Sequence, residues 1–270
     1  MLARGRSIRG AMAEDGREPR TSRWTARRIA FAAWAAFLVV LFGVAFFGLT
    51  SLAIAWFGTL EGVAGPVTEV GYGALIGIIL TVGVASQLRA PERRIAGVQQ
   101  AALVIPALLI GSALSADAQN VEAAAIAFVG VGILLLLHPA RAEFLRRGAG
   151  LSRPLLAITV IGAVPSVAYA LEMGAHAQDL VGPPHHVQRL STMAAMAVAI
   201  VLVGLLASLK TRGWRIPAWS AGVAAMAFGL VSAVYPDHPA AVGLGWGGAA
   251  LAGGVLFIAV AEWEARRPAT

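Results

Sequence analysis

Apolar residues come in long runs along this chain, and polar residues come in short clusters between them. Eight runs, near 30–53, 70–88, 97–115, 121–138, 154–172, 190–209, 217–235 and 243–262, are rich in Ala, Leu, Val, Ile and Gly. Each is about the length a helix needs to cross roughly 30 Å of hydrocarbon. None alternates apolar and polar positions with the period-two pattern of a membrane barrel strand. In hydrocarbon every backbone N–H and C=O must be satisfied internally, and helices achieve this within one segment. The pattern predicts an all-α polytopic integral membrane bundle of eight transmembrane helices. The first run, IAFAAWAAFLVVLFGVAFFGLTSLAIAWF, far exceeds the roughly 7–15-residue apolar core of a signal peptide. It reads as a retained anchor, although Ala53-Ile54-Ala55 has the form of a cleavage site.

The charged clusters orient the bundle. With the N-terminus inside, every Lys and Arg except Arg189 falls on the inner side, as the positive-inside rule requires. The pattern predicts a bacterial inner (plasma) membrane protein with both termini cytoplasmic. Residues 1–29 form a basic, disordered arm in this reading, 30–264 the transmembrane domain, and 265–270 a short tail. Carboxylates divide evenly, so the outer face is net acidic. Hydrophobic residues are 58% and charged residues 13% of the chain. A soluble domain carries about 25% charged residues, so the composition excludes a soluble fold. The net charge of +7 belongs to the inner loops and gives no reason to expect nucleic acid. The absence of cysteine removes disulfides, thiolate nucleophiles and cysteine metal sites.

Within the spans the polar residues are mild: Thr81, Ser112, Thr159, Ser166, Tyr169 and Ser232. No Asp, Glu, Lys or Arg lies mid-span, which weighs against a proton relay. Lys210 sits at the inner boundary, so a mid-helix Schiff base of the retinal type has no lysine. Gly73/Gly77 and Gly243/Gly247 have the GxxxG spacing of close helix contacts. Pro106 and Pro165 fall inside the third and fifth spans, where they should kink the helix. GLGWGG, from Gly243, lacks the preceding strand of a dinucleotide fingerprint and reads as helix packing.

Candidate chemistry gathers in two outer connections. EMGAHAQDLVGPPHHVQR, from Glu172 to Arg189, holds Glu172, His176, Asp179, His185 and His186. The short YPDHP turn holds Asp237 and His238. If the fifth helix continues past the boundary, Glu172 and His176 share a face. Imidazole with carboxylate is a ligand set for a divalent metal. The proposed ligand-binding or metal residues are therefore Glu172, His176, His185, His186, Asp237 and His238, with a divalent metal preferred to haem. The opposing reading is solvated loops, in which Gly182-Pro183-Pro184 is a rigid turn. Ser166 and Tyr169 could continue a polar path inward. His138, in LLLLHPAR, reads as an interfacial residue capping a helix C-terminus.

The segment HHVQRLSTMAAMAVAIVLVGLLASLKTRGWRIPAWSAG, with YPDHPAAVGLGWGG after it, resembles a group of uncharacterised multi-pass membrane proteins of high-GC, actinobacterial-type bacteria. The resemblance is limited to the C-terminal half and transfers no catalytic residue. It implies that the two outer connections form one unit. The chain departs from the zinc membrane hydrolases of the ceramidase type, since no HxxxH occurs. It departs from haem A synthase in where its histidines fall. Three functions stand at this point. The first is a membrane protein binding a metal or small ligand at the outer cluster, with metal-assisted hydrolysis the only enzyme class its residues suggest. The second is a transporter or channel, which requires a polar cavity reaching the bilayer centre. The third is a structural or accessory subunit. Its partners would be the lipid bilayer and other membrane subunits or copies of itself.

Overall fold

A computed structural model describes residues 26–57, 65–145, 148, 150–180 and 184–266. Most of the basic arm, the Gly182-Pro183 part of the turn, and tail residues 267–270 lie outside the described residues. Eight helices are long and apolar enough to cross a membrane: α1 (Ala26–Phe57), α2 (Pro66–Leu88), α3 (Ile95–Ser115), α4 (Ala118–Leu137), α5 (Arg153–Asp179), α6 (Pro184–Ser208), α7 (Arg215–Val234) and α8 (Gly243–Ala265). They fit a multi-pass membrane protein. All eight predicted runs appear, several extended by a turn or more. Pro106 and Pro165 sit inside α3 and α5 without ending either helix.

Cross-chain bonds sort the helix ends onto two faces. On the terminal face, Arg28 pairs with Glu92, Lys210 with Glu264, Arg212 with Glu143 and Arg215 with Glu262. Arg27 donates to the Leu136 carbonyl at the end of α4 (2.9 Å). The exposed pairs are worth little alone, whereas Lys210–Glu264 is largely buried; together these bonds tie helix ends and connections of the terminal face. On the opposite, distal face, Gln178 donates to Leu114 O at 2.6 Å and Tyr169 to Ala240 O at 2.7 Å.

The centre of the bundle is α2 and α6. In α2, 89% of the apolar window is buried, against 22% in α5 and α8, which form the outside. Two spans are irregular. α1 is α-helical over Ala26–Val40, π-helical over Leu41–Ala45, broken, and helical again over Thr50–Phe57. Phe47 turns the chain there in the left-handed region (φ 57°). α2 is α-helical over Pro66–Gly73 and π-helical over Ala74–Thr81. Groups freed at these places are bonded again, as hydrocarbon demands. The N–H groups of Phe46, Gly48 and Leu49 find Leu41 O, Phe42 O and Gly43 O. Tyr72 Oη donates to Phe46 O at 2.8 Å, Thr81 Oγ1 to Ile76 O at 2.7 Å and Gln100 Nε2 to Ile79 O at 2.6 Å.

Small residues set the closest contacts. A Cβ on Gly77 would strike the Gly48 carbonyl, so the predicted Gly73/Gly77 contact seats α2 on the broken part of α1. The Gly243/Gly247 expectation needs correcting. Gly243 starts α8 at φ 72° with open space around it. The contact is made instead by Gly247 and Gly254, seven residues apart, against Gly229 and Gly222 of α7. A seven-residue step returns to the same helix face after two turns, and at both places backbone meets backbone.

Overpacking a tight contact costs about 1–3 kcal/mol. Gly229→Val, whose Cβ would lie 2.5 Å from the Gly247 carbonyl, is expected to lower the thermal midpoint by several degrees in detergent. Gly245→Val, at a position with nothing within 4 Å, should leave it unchanged. Fluorescence-detected size-exclusion after heating reads both.

Candidate functional site

The predicted outer residues lie on the distal face. α5 continues to Asp179, so Glu172 and His176 do stand one turn apart on its end. Both are exposed. His185 and His186 open α6 with their rings edge-on at 4.4 Å. Asp237 and His238 lie in the turn between α7 and α8. His238 Nδ1 accepts the Ala240 N–H of its own turn at 3.0 Å. The Tyr169–Ala240 bond ties α5 to this turn. The metal expectation is corrected: among the described residues, no three His, Asp or Glu side chains are grouped to hold an ion. The physical reason is placement. Helix ends spread Glu172, His176 and the His185–His186 pair over an exposed surface, and His238 turns its Nδ1 to its own backbone. The inward polar path also fails to form, because Ser166 donates to Gly162 O at 2.8 Å and Tyr169 is engaged.

A different group of polar residues is buried on the same face. Glu69, in the first turn of α2, is 6% exposed and forms an ion pair with Arg189 of α6. Arg189 is the one basic residue expected on the outer side, and the Glu69 carboxylate neutralises it. Next to this pair, Asp117 caps α4 by accepting the Gln119 and Asn120 N–H groups at 3.0 and 3.3 Å. Asn120 Nδ2 donates to Ser191 Oγ at 2.7 Å, and Thr192 Oγ1 donates to Gln188 O at 2.8 Å.

Beside this network lies a cavity of about 250 Å³ lined by α1, α2, α3, α4 and α6. Tyr72, Gln119, Asn120, Glu122, Gln188 and Thr192 line its distal part; Phe42, Ile76, Leu80 and Leu108 close its other end. Ile76 and Leu80 straddle the middle of the 23-residue α2, so the cavity reaches mid-span. Phe42 belongs to the π-helical turn of α1, and Ile76 and Leu80 to that of α2. π-helical insertions are frequent at functional sites. Beyond this apolar layer, Gln100 is fully buried and bonds Ile79 O and Ser220 Oγ.

His138 stands at the C-cap of α4, where the sequence places it, and is fully buried there. Its Nδ1 accepts the Ala140 N–H at 3.0 Å, so Nε2 carries the proton and donates to Gln87 Oε1 at 3.0 Å. Gln87 Nε2 in turn donates to Arg94 O at 2.9 Å. Phe31 packs edge-on to the ring. Burial pushes the His138 pKa down to about 4, against the opposing pull of Glu92.

Comparison with protein-family models, curated proteins and solved structures finds no match for this chain.

Removing one partner of a buried ion pair strands the other charge, at about 3–5 kcal/mol. Arg189→Ala is therefore expected to lower the thermal midpoint far more than the double variant Glu69→Gln/Arg189→Gln, which removes both charges. A double variant as damaging as Arg189→Ala would contradict this. For His138 the folded pKa lies below the ordinary value of about 6.5. The unfolded chain then takes up a proton first as the pH falls. Stability from this residue is complete above about pH 6.5 and declines towards pH 4. His138→Gln should be less stable than the parent at pH 7.5, with the gap closing by pH 4.5 in thermal scans.

Proposed function

We propose that this protein is a transporter or channel for a small polar solute, which enters the bundle from the outer face. The observation that carries this reading is the cavity among α1, α2, α3, α4 and α6. It has amide and hydroxyl groups at its rim and an apolar floor at mid-span. A packing defect in an inert bundle would be apolar throughout and would need no buried polar rim. The lining supplies amide and hydroxyl groups and one carboxylate, Glu122. Such a lining suits a small polar solute rich in hydrogen-bond donors. The floor of Phe42, Ile76, Leu80 and Leu108 acts as the gate. The π-helical segments that carry three of these residues are where the spans can rewind at least cost, and in α2 the Ile76 and Ile79 carbonyls already accept side-chain bonds.

The natural absence of cysteine makes the test direct. Thr192→Cys and Ala123→Cys, in the cavity wall, should react with a membrane-impermeant maleimide added outside intact cells. Gln100→Cys, beyond the floor, should not. Leu80→Ala in the Gln100→Cys background should make that cysteine reactive, at least tenfold faster. If Thr192→Cys and Ala123→Cys stay unmodified while an exposed control at His185→Cys reacts, the cavity does not open outward and the reading fails.

A further inference from the structure

A second hollow lies on the lipid-facing side, away from the solute cavity. α5 packs along α6 and α8 along α7, yet α5 and α8 barely meet. The four helices leave a trough of about 740 Å³ between α5 and α8, with α6 and α7 as its floor. We infer that this trough holds a hydrocarbon tail of a phospholipid with an ammonium headgroup, of the phosphatidylethanolamine class, placed by the Glu172 carboxylate.

The walls decide what can enter. Ile161 and Val164 form one side, Ala250 and Leu256 the other, and Met196 and Ala221 lie in the floor. The hydroxyls that reach it are all engaged. Thr159 Oγ1 donates to Leu155 O at 2.8 Å, Ser166 Oγ to Gly162 O at 2.8 Å and Tyr169 Oη to Ala240 O at 2.7 Å. A polar ligand placed there would lose its hydration and gain no partner. A hydrocarbon chain loses nothing. Length agrees. From Ile158 to Glu172 the trough follows α5 for about 20 Å at about 1.5 Å per residue. One leaflet of hydrocarbon is about 15 Å deep, so the trough takes a tail through its whole depth.

The distal end selects the headgroup by charge. Glu172 lies at that end and is exposed. Among the described residues no Lys or Arg pairs with it, and the nearest candidate on that face, Arg189, is committed to Glu69. Trp246, half of its surface or more free, lines the same end, at the headgroup level where indoles settle. A lone carboxylate there attracts an ammonium and repels an anionic headgroup. A transmembrane helix seated in the trough would instead cover this charge without neutralising it, which favours the lipid over a second copy of the chain.

Gly162 and Gly253 line the trough with nothing within 4 Å of an added Cβ, so larger side chains there fill it without disturbing the packing. The test is native mass spectrometry of the full chain, released from mild detergent after equilibration with equal phosphatidylethanolamine and phosphatidylglycerol. The parent should retain one lipid per chain, with phosphatidylethanolamine favoured at least fivefold. Gly162→Leu/Gly253→Leu should lose that adduct while keeping the parent's thermal midpoint. Glu172→Gln should keep a lipid but lose the headgroup preference. Equal retention of both lipids by the parent overturns the headgroup assignment. An adduct that survives in the filled variant overturns the trough as its site, as does a chain dimer present in the parent and abolished by filling.

Discussion

A carbonyl or N–H left bare in hydrocarbon costs several kcal/mol, and the central span of this protein contains a stretch where the regular helical ladder is given up. Over Ala74–Thr81 the π-helical wind of α2 changes which carbonyls are covered by the next turn. The protein meets that demand with side chains from three directions. Thr81 bonds back to Ile76 O, Gln100 reaches Ile79 O from α3, and Tyr72 bridges to the carbonyl at the break in α1. Since α2 is the most buried span, these bonds also fix where α1 and α3 stand. Gly48 and Gly77 add a backbone contact between the same two spans, since a Cβ on Gly77 would strike the Gly48 carbonyl. The cavity exists because α1 and α2 are both irregular where they face it.

The buried pair Glu69–Arg189 applies the same logic to charge. Among the described residues, Arg189 is on the distal face while the other Lys and Arg lie towards the terminal face. A lone guanidinium at that depth would be costly; with Glu69 it becomes a neutral strut between the two central helices. On the terminal face the opposite economy holds. His138 is kept neutral by burial and by accepting the Ala140 N–H, and it passes a hydrogen-bond chain through Gln87 to Arg94 O. That chain ties the end of α4 to the connection between α2 and α3.

Much of the fold was legible from sequence, since lipid imposes a length and a composition on every span. The eight runs, the alternation of faces and the Gly73/Gly77 contact all follow from local pattern. What escaped is non-local. Glu69 and Arg189 are 120 residues apart in sequence, and nothing in either neighbourhood names the other. The only signal was that Arg189 stood alone on its face. The Gly222/Gly229 and Gly247/Gly254 contacts were hidden because a spacing of seven looks unremarkable in a glycine-rich chain, whereas GLGWGG drew the eye to Gly243. The His/carboxylate cluster misled for a related reason. Residues that share a face and a depth in a topology diagram can still diverge around the rim of a bundle, and histidines at helix ends are more easily satisfied by their own turns than by one another.

The two hollows divide the bundle by chemistry as well as by position. One is enclosed by α1, α2, α3, α4 and α6, with polar groups turned inward. The other opens between α5 and α8, and its hydroxyls are all turned back onto backbone. α6 belongs to both: Gln188 and Thr192 face the first, Met196, Ile200 and Gly204 the second. A helix shared in this way couples their occupancy mechanically. Its contact with α5 is close at Gly204, where an added Cβ would lie 2.9 Å from the Thr159 hydroxyl. Any shift of α6 that widens the solute cavity must therefore change the floor of the trough. If the trough holds the proposed lipid and the floor is the proposed gate, a lipid that resists that shift would be linked to gate opening, each altering the free energy of the other by the same amount.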